Sequence, residues 1–264
     1  MRRGPPLTLD LSISKYGEGP PLIVLHGLFG SKRNWATVAH RMAIGRRVIT
    51  VDLRNHGESP WSDGCDYPAM ADDVARAIDR HAGGHAAVLG HSMGGKVAMV
   101  LALSHPELVD RLIIVDIAPT RSTATPIEFV RAMRALPLES FTSRLEIKEA
   151  LAAAIPDPAV RGFLTLNVIP TTDGLAWTVN LAAIENHFET ILGFPVVPPG
   201  TSFQKPTLFI AGGKSAYLQP RHHAEIMRLF PAATIDVIEQ AGHWIHADAP
   251  EAFVASVNAF LGPG

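Results

Sequence analysis

One serine of this chain stands in the sequence pattern that a nucleophilic hydroxyl group requires. Ser92 is the third residue of GHSMGG, 90–95, which fits the pattern G-x-S-x-G. A strand-like run precedes the motif and a helical pattern follows it, so we expect a turn that lifts the hydroxyl clear of a sheet's carboxyl edge. Glycines are needed because such a turn is too tight for larger side chains. The N-terminus of the following helix favours negative charge beside the serine.

A serine hydroxyl is a weak nucleophile near neutral pH and needs a general base. The segment EQAGHWIHADAPEAF, 239–253, offers two candidates, His243 and His246. His243 follows the last strand pattern and precedes the last helical pattern, which suits a base that reaches over the sheet edge toward Ser92. We therefore predict His243 as the base. His246 is the alternative, and a surface or helix-capping role is the competing interpretation for either histidine.

Attack by a serine on a carbonyl group also needs donors for the oxyanion that develops. The run HGLFGS, 26–31, follows an apolar strand pattern and precedes a helical one, so its loop can present the backbone N–H of Leu28. The N–H of Met93, the residue after the nucleophile, is predicted as the second donor. We interpret His26 as a structural histidine that braces this loop.

These residues must be positioned by a sheet, and short apolar runs indicate its strands. Near-continuous apolar runs are expected when helices cover both faces of a parallel sheet. The run 7–14 instead alternates with a period of two and predicts an antiparallel strand at one edge. The other predicted strands are 22–27, 47–53, 86–92, 111–118, 207–213 and 234–240.

Longer helical patterns alternate with these strands. That alternation predicts an α/β fold with a doubly wound, mostly parallel sheet. The predicted helices of this part are 31–43, 68–82, 93–105, 220–230 and 250–261.

The alternation stops between Thr120 and Gln204, where several helical patterns occur without a convincing strand. A segment of that length inside one domain is usually functional or a subdomain. We predict a helical cap over 120–204, inserted into a core made of 1–119 and 205–264. Extra helices on the flank of the sheet are the alternative.

Composition narrows the class of protein. The chain has 264 residues, of which 47% are hydrophobic and 18% charged, so it can bury a sizeable core. A net charge of −2 and the lack of a long basic run argue against a nucleic-acid partner. The single cysteine, Cys65, fits a reducing compartment, and no apolar run approaches the length of a membrane span. With no signal-peptide pattern at the start, we expect a cytoplasmic protein.

Neither a metal nor another cofactor is expected from the motifs. His222 and His223 would point about 100° apart on a helix. His81 and His85 are separated by two glycines that should end their helix. GHSMGG lacks the spacing of a dinucleotide fingerprint, and no phosphate-binding loop is present.

Five motifs together give the chain a family resemblance. HGLFGS, DLRNHGES, GHSMGG, VDIAP and AGHW resemble the α/β-hydrolase superfamily, specifically its capped serine esterase branch, over nearly the whole chain. The resemblance implies the α/β-hydrolase fold with the cap inserted after the strand that is sixth in the family. Asn55 replaces a glycine of the family's D-x-R-G-x-G-x-S turn, and asparagine tolerates left-handed backbone better than most residues.

In this superfamily a catalytic triad consists of the serine, the histidine base and an acid that stabilises the protonated histidine. The resemblance therefore raises the question of which carboxylate is the acid here. In most of the superfamily an aspartate follows the strand that reads TLFIAGG here, but this chain has Ser215 in that position. A known variation within the superfamily places the acid after the family's sixth strand, where Asp116 ends RLIIVD. We therefore predict Asp116 as the acid, with a capping aspartate as the alternative. Ser215 is assigned an auxiliary role as a second acceptor near His243, or no role.

The expected activity is that of a serine carboxylic ester hydrolase with an acyl-enzyme intermediate. Short to medium acyl esters are the expected substrates, and acyl thioesters react by the same mechanism. A carbon–carbon-bond hydrolase, an acyltransferase and a ligand-binding receptor with little turnover are the alternatives, and the oligomeric state is open. The cap is expected to shape the acyl pocket with some of Phe129, Met133, Phe163, Leu166, Trp177, Leu181, Ile184 and Phe188.

Overall fold

The fold was obtained as a computed structural model, which describes residues 8–122 and 127–262. Nine strands form a seven-stranded sheet and a separate hairpin. The strands are β1 (Ile13–Tyr16), β2 (Pro21–Leu25), β3 (Arg47–Val51), β4 (Ala86–His91), β5 (Val109–Val115), β6 (Val168–Thr171), β7 (Gly174–Trp177), β8 (Thr207–Gly212) and β9 (Ala233–Ile238).

The large sheet has the order β1-β3-β2-β4-β5-β8-β9. Strand β1 pairs antiparallel with β3 at one edge, and all the other neighbours are parallel. The predicted doubly wound, mostly parallel sheet is therefore confirmed. Because parallel strands point the same way, the residues that follow β4, β5, β8 and β9 emerge at one carboxyl edge.

The first strand begins later than the alternating pattern predicts. Leu7 lies outside the described residues, and the pairing starts only at Ile13. The backbone N–H of Leu9 donates to Asp73 Oδ1 at 2.7 Å, and that of Ser12 donates to Ser59 Oγ at 2.8 Å. Side chains from elsewhere thus bind the N–H groups that a longer strand would have used in its ladder.

Helices cover both faces of the sheet, and none in the described ranges is long and apolar enough to cross a membrane. All five helices predicted for the core are present, two of them with a short 3₁₀ turn at the start, at Lys32–Trp35 and Pro220–His222. The α-helices are α1 (Ala36–Met42), α2 (Tyr67–Ala82), α3 (Met93–Ser104), α4 (Ile127–Ala135), α5 (Arg144–Ala150), α6 (Pro158–Thr165), α7 (Leu181–Asn186), α8 (Phe188–Leu192), α9 (His223–Leu229), α10 (Ile245–Asp248) and α11 (Pro250–Leu261).

Buried residues of the strands alternate between two apolar layers. Ile23 of β2 and Val88 of β4 belong to the layer beneath α2 and α3, whereas their neighbours Val24 and Leu89 face the layer beneath α1 and α11. Both sets are fully buried. This is why the strand sequences are apolar throughout rather than alternating.

The segment between β5 and β8 contains α4 to α8, as the helical patterns predict, but it also contains a hairpin. Strands β6 and β7 pair antiparallel from Val168↔Trp177 to Thr171↔Gly174, so the expectation that this segment has no strand is wrong. Pro170 weakens the strand pattern, while Asp173-Gly174 is a hairpin signal. One of the helical patterns within 120–204 spans 126–136, and its first residue lies outside the described residues. The division of the chain at 120 and 204 stays a prediction.

A buried lysine ties the inserted segment to the core. Lys96 lies on α3, and its ammonium group donates to the carbonyl oxygens of Leu192 at 2.7 Å and Gly193 at 2.6 Å. These carbonyls end α8, and the end of a helix carries partial negative charge. Burial disfavours the ammonium form and lowers the pKa of Lys96 to about 7.

The pKa of Lys96 gives a prediction about stability. Between pH values of about 7 and 10.5, the unfolded chain binds a proton at this lysine that the folded chain does not. The contribution of Lys96 to the free energy of unfolding therefore rises with pH across that window. In urea titrations at several pH values, the stability of the wild type relative to Lys96→Met should grow from neutral to alkaline pH. Lys214→Met, at an exposed lysine, is the control, and a constant Lys96 difference would contradict the assignment.

Candidate active site

The turn between β4 and α3 holds Ser92 in a strained conformation. Its φ is 52° and its ψ is −119°, a combination that is rare for residues other than glycine. The N–H of Ser92 donates to the carbonyl of Val115 on β5 at 3.0 Å, which fixes the turn to the neighbouring strand. A Cβ at Gly90 would collide with the backbone of Gly94, and one at Gly94 would collide with that of His26. The flanking glycines are therefore required, as the motif predicts.

Three of the residues nominated from the sequence lie in one chain of hydrogen bonds. His243 Nε2 is 3.1 Å from Ser92 Oγ, and His243 Nδ1 is 2.7 Å from Asp116 Oδ2. Because the carboxylate only accepts, Nδ1 carries the hydrogen and Nε2 is free to accept the serine's hydroxyl proton. The arrangement is that of a nucleophile, a base and an orienting acid.

The sheet explains why residues so distant in sequence meet. His91 at the end of β4 pairs with Val115 at the end of β5, so Ser92 and Asp116 leave adjacent strands side by side. Strand β9 ends at Ile238, and the loop after it carries His243 across the edge above β8. The order of the strands thus brings the three side chains together.

Asp116 is fully buried and is held by donors from its neighbours. The N–H of Gly212 donates to Oδ1 at 3.1 Å, and the Ser215 hydroxyl donates to Oδ2, the same oxygen that accepts from His243. The backbone of Asp116 has a positive φ of 50°. Burial of a carboxylate is costly without hydrogen-bond partners, and these donors offset that cost.

Ser215 contacts the acid rather than the base. The sequence left two alternatives for its hydroxyl, a second acceptor near His243 or no role, but in the structure it donates to Asp116 and accepts from the N–H of Tyr217 at 3.2 Å. The reason is geometric, because Ser215 follows β8, which lies directly beside β5 in the sheet. Ser215 and His243 Nδ1 therefore bond the same oxygen of Asp116.

Of the two predicted oxyanion donors, Leu28 lines the same pocket as Ser92, and Met93 directly follows Ser92 in the chain. In residues 8–122 and 127–262, no hydrogen bond uses the N–H of Leu28 or Met93, whereas the N–H of Phe29 donates to His56 Nε2 at 3.3 Å. His26 braces the loop as interpreted, since its Nδ1 donates to the carbonyl of Gly27 and its Nε2 accepts from the N–H of Leu53. The assignment of Leu28 and Met93 stays a prediction.

Among the described residues, the alternative base His246 makes no hydrogen bond with Ser92, and its Nδ1 has no hydrogen-bond partner. Its ring stacks on Trp35 with centroids 4.3 Å apart. Burial and the nearby His243 lower the pKa of His246 to about 4. The structure therefore favours His243 over His246 as the partner of Ser92.

Ser92 and His243 open into an apolar pocket of about 260 Å³. The inserted segment contributes four residues to its wall and the core supplies the rest of the apolar surface. Among the described residues that line it, none carries a carboxylate, an ammonium or a guanidinium group. The apolar lining residues are Phe129, Val160, Phe163 and Leu164 from the insertion and Leu28, Phe29, Trp35, Tyr217 and Trp244 from the core.

Two of the eight aromatic and aliphatic residues named from the helical patterns line this pocket. Phe129 and Phe163 do so, whereas Leu166 is 56% exposed and Trp177 is partly buried in the insertion. The remaining four residues, Met133, Leu181, Ile184 and Phe188, are buried in the core of the molecule.

Comparisons with known proteins agree with this geometry. The model of the alpha/beta hydrolase fold family matches residues 20–250. The chain is 42% identical over 265 residues to the sn-1-specific diacylglycerol lipase ABHD11 of Danio rerio, covering 97% of this chain and 83% of that protein. The chain belongs to the α/β-hydrolase family.

Other relatives of this α/β-hydrolase are esterases. It is 32% identical over 242 residues to esterase YbfF of Escherichia coli strain K12, with 91% of this chain and 92% of that protein covered. The solved structure of a marine microorganism esterase superimposes with a TM-score of 0.91 at 34% identity, covering 96% of this chain and 99% of that one. The predicted resemblance to esterases of this family is thus confirmed, and the chain is an ester hydrolase.

The contacts of Ser215 in this hydrolase give a prediction of modest size. Ser215→Ala removes one hydroxyl donor from the Asp116 carboxylate, and a hydrogen bond to a charged group is worth roughly 1.5–3 kcal/mol. We expect kcat for a p-nitrophenyl ester to fall about 10- to 100-fold. Ser202→Ala, at a serine outside the site, is the control. A loss as large as that of the Asp116 variant discussed below would show that Ser215 is more than a support.

Several residues around the hydrolase's triad escaped the sequence analysis. The Tyr217 ring stacks on the His243 ring, with centroids 3.8 Å apart and an angle of 15° between the planes. The ring centroids of Trp244 and Phe163 are 5.4 Å apart. His91 is part of GHSMGG, but the motif marks its position without specifying its side chain. The only feature of the sequence that pointed to Trp244 was its position directly after His243.

A metal centre would need several ligating side chains close together in the described part of this hydrolase. No three side chains of histidine, cysteine, aspartate or glutamate are grouped there in a way that could hold an ion. The residues of the site are suited to acid–base and nucleophilic chemistry by themselves.

Proposed function

We propose that this hydrolase cleaves carboxylic esters of short to medium, uncharged acyl groups through an acyl-enzyme on Ser92. The observation that carries the proposal is the hydrogen-bonded chain from Asp116 through His243 to Ser92, which ends at an apolar pocket. A serine at 3.1 Å from an imidazole nitrogen is in position to transfer its proton as it attacks.

In the first half of the reaction, Ser92 Oγ forms a bond to the ester carbonyl carbon while His243 Nε2 takes the hydroxyl proton. The imidazolium is stabilised by the Asp116 carboxylate at 2.7 Å. The N–H groups of Leu28 and Met93 donate to the oxyanion. When the carbon–oxygen bond to the alcohol breaks, the proton on His243 passes to the leaving alkoxide.

The second half repeats these steps with water. His243 Nε2 takes a proton from a water molecule whose oxygen attacks the acyl carbon. The bond from that carbon to Ser92 Oγ then breaks, and the proton on His243 returns to the serine. The acid product and the free enzyme result, so no cofactor is needed to balance the reaction.

The pocket supports a limit on the acyl group. Its volume is about 260 Å³, just below the usual range for ligand pockets, and its described lining has no aspartate, glutamate, lysine or arginine side chain. A charged acyl chain would lose its hydration there without a partner. A coenzyme A thioester would have to leave its phosphates outside the pocket. Neutral esters therefore fit better than charged ones.

The segment 120–204 acts in this proposal as the cap that sets acyl length. Phe163 on α6 is central, because it lines the pocket and packs against Trp244 beside the base. Removing its ring enlarges the pocket without touching the hydrogen bonds among Ser92, His243 and Asp116.

The test is a series of p-nitrophenyl esters from acetate to palmitate, run beside acyl-coenzyme A substrates. We expect kcat/KM to be greatest for short or medium chains and lower for the thioesters. Phe163→Ala should move the maximum to longer chains, while Leu166→Ala, on the same segment but largely exposed, should leave it unchanged. A wild-type profile that rises steadily to palmitate would contradict the proposed acyl length. Turnover too slow to measure with every ester would favour a ligand-binding role.

A further inference from the structure

His91 is a buried histidine beside the triad that the mechanism above does not use. It is the last residue of β4, directly before Ser92, and is only 4% exposed. Its ring lies between those of His243 and His246, at centroid distances of 4.7 Å and 5.1 Å. No proton of the reaction passes through it, since His243 faces Ser92 and Asp116 with its two ring nitrogens.

Among the described residues, His91 has one polar contact, and it is with the backbone of the base. His91 Nε2 is 2.9 Å from the carbonyl oxygen of His243. Because a carbonyl only accepts, Nε2 carries the hydrogen and donates it. In the described part of the chain, no other hydrogen bond reaches that carbonyl.

The loop around His243 is otherwise tied down on either side of it. The N–H of Gly242 donates to Asp248 Oδ2 at 2.8 Å, and the carbonyl of Trp244 accepts from the N–H groups of Ala247 and Asp248. These bonds stay within the loop and α10. The bond from His91 links the peptide of His243 to the strand that carries the nucleophile.

The imidazole of His91 donates this hydrogen bond in its uncharged form, and a charge there would affect the neighbouring base, His243. Burial, with smaller contributions from His243 and His246, holds the pKa of His91 well below its usual value. A permanently charged donor there would make it harder for His243 to accept a proton. A neutral imidazole fixes the loop without weakening the base.

We propose that His91 is a positioning residue, which sets the distance between His243 and Ser92 by one uncharged hydrogen bond from the nucleophile's strand to the base's peptide. The proposal rests on the proposed function of Ser92 and His243. It goes further in assigning the first variable position of GHSMGG to the alignment of the base.

Three variants test the hydrogen bond. The amide nitrogen of Gln in His91→Gln can take the place of Nε2, whereas the shorter side chain of His91→Asn cannot reach the carbonyl. His91→Met fills similar space without a donor. We expect kcat for a p-nitrophenyl ester to fall by about 10- to 100-fold in the Asn and Met variants, since small misplacements of catalytic groups cost that much. The KM should stay within about twofold, and the Gln variant should recover most of kcat.

Comparing His91→Gln with His91→Asn shows whether the hydrogen bond positions His243, even if His91→Met does not fold. Both are amides of similar polarity, and thermal unfolding shows whether each is as stable as the other. Equal kcat values for two stably folded variants, or wild-type kcat in the Asn variant, would overturn the positioning role. Neither result would contradict the proposed function of Ser92 and His243. That function would be contradicted if the Ser92→Ala variant kept its esterase activity.

Discussion

Ser92→Ala is expected to abolish ester hydrolysis while leaving the fold intact. Without the hydroxyl no acyl-enzyme can form, and His243 has no nucleophile to deprotonate. In another serine hydrolase the loss of this residue costs roughly 10⁶-fold in kcat. We expect a loss of several orders of magnitude here, measured as the steady-state rate with p-nitrophenyl acetate. Alanine and serine meet the same strain at a φ of 52°, so the thermal unfolding midpoint should change little.

Ser104→Ala is a suitable control for this variant. Ser104 ends the same helix, α3, and its hydroxyl donates to the carbonyl of Val100 one turn earlier. Its removal should leave kcat unchanged. If a pure sample of Ser92→Ala kept most of its activity, the nucleophile would have to be sought elsewhere.

Asp116→Asn is expected to lower kcat by about four orders of magnitude, the effect of the corresponding change in another serine hydrolase. The amide keeps the shape of the side chain but removes the charge that stabilises the His243 imidazolium. If its NH₂ group faces Nδ1, it also favours the wrong tautomer of the ring. A contact between Ser215 and His243 would have softened this loss. Because the Ser215 hydroxyl donates to Asp116 instead, we expect the full effect.

Rescue of this variant is the sharper measurement. Ser215 lies against the oxygen of Asp116 that accepts from His243, so Ser215→Asp in the Asp116→Asn background returns a carboxylate to the neighbourhood of the ring. We expect partial recovery of kcat, whereas Ser215→Asn in the same background should recover nothing. Near-normal activity of Asp116→Asn alone would leave Asp116 as a structural residue.

The sheet and the positions of Ser92 and His243 followed from local sequence patterns, whereas Asp116 was predicted through the resemblance to the superfamily. Strands buried on both faces are apolar throughout, and the glycines around Ser92 are dictated by a turn that no larger residue fits. Asn55 has the left-handed conformation, φ 66°, that its place in the turn suggested. These features depend on a few neighbouring residues, so a single sequence reveals them.

Features that depend on contacts between distant segments were missed or assigned wrongly. Ser215 bonds Asp116 because β8 and β5 are adjacent in the sheet. The residues before β1 bond the side chains of Ser59 and Asp73, which are distant in sequence. The stacking of Tyr217 on His243 likewise joins two loops that only the strand order brings together. Helical patterns identified residues of the insertion but not which of them face the pocket, because that depends on how the helices pack.

Active-site titration with a fluorophosphonate tests the central claim most directly. The reagent forms a stable bond with an activated serine, and peptide mass spectrometry locates it. We predict one adduct per chain, on Ser92, with ester hydrolysis lost in proportion to the labelled fraction. Ser92→Ala should take up no label, and His243→Ala should react far more slowly than His246→Ala. Full activity in protein labelled at Ser92, or loss of activity with the adduct on another residue, would contradict the claim.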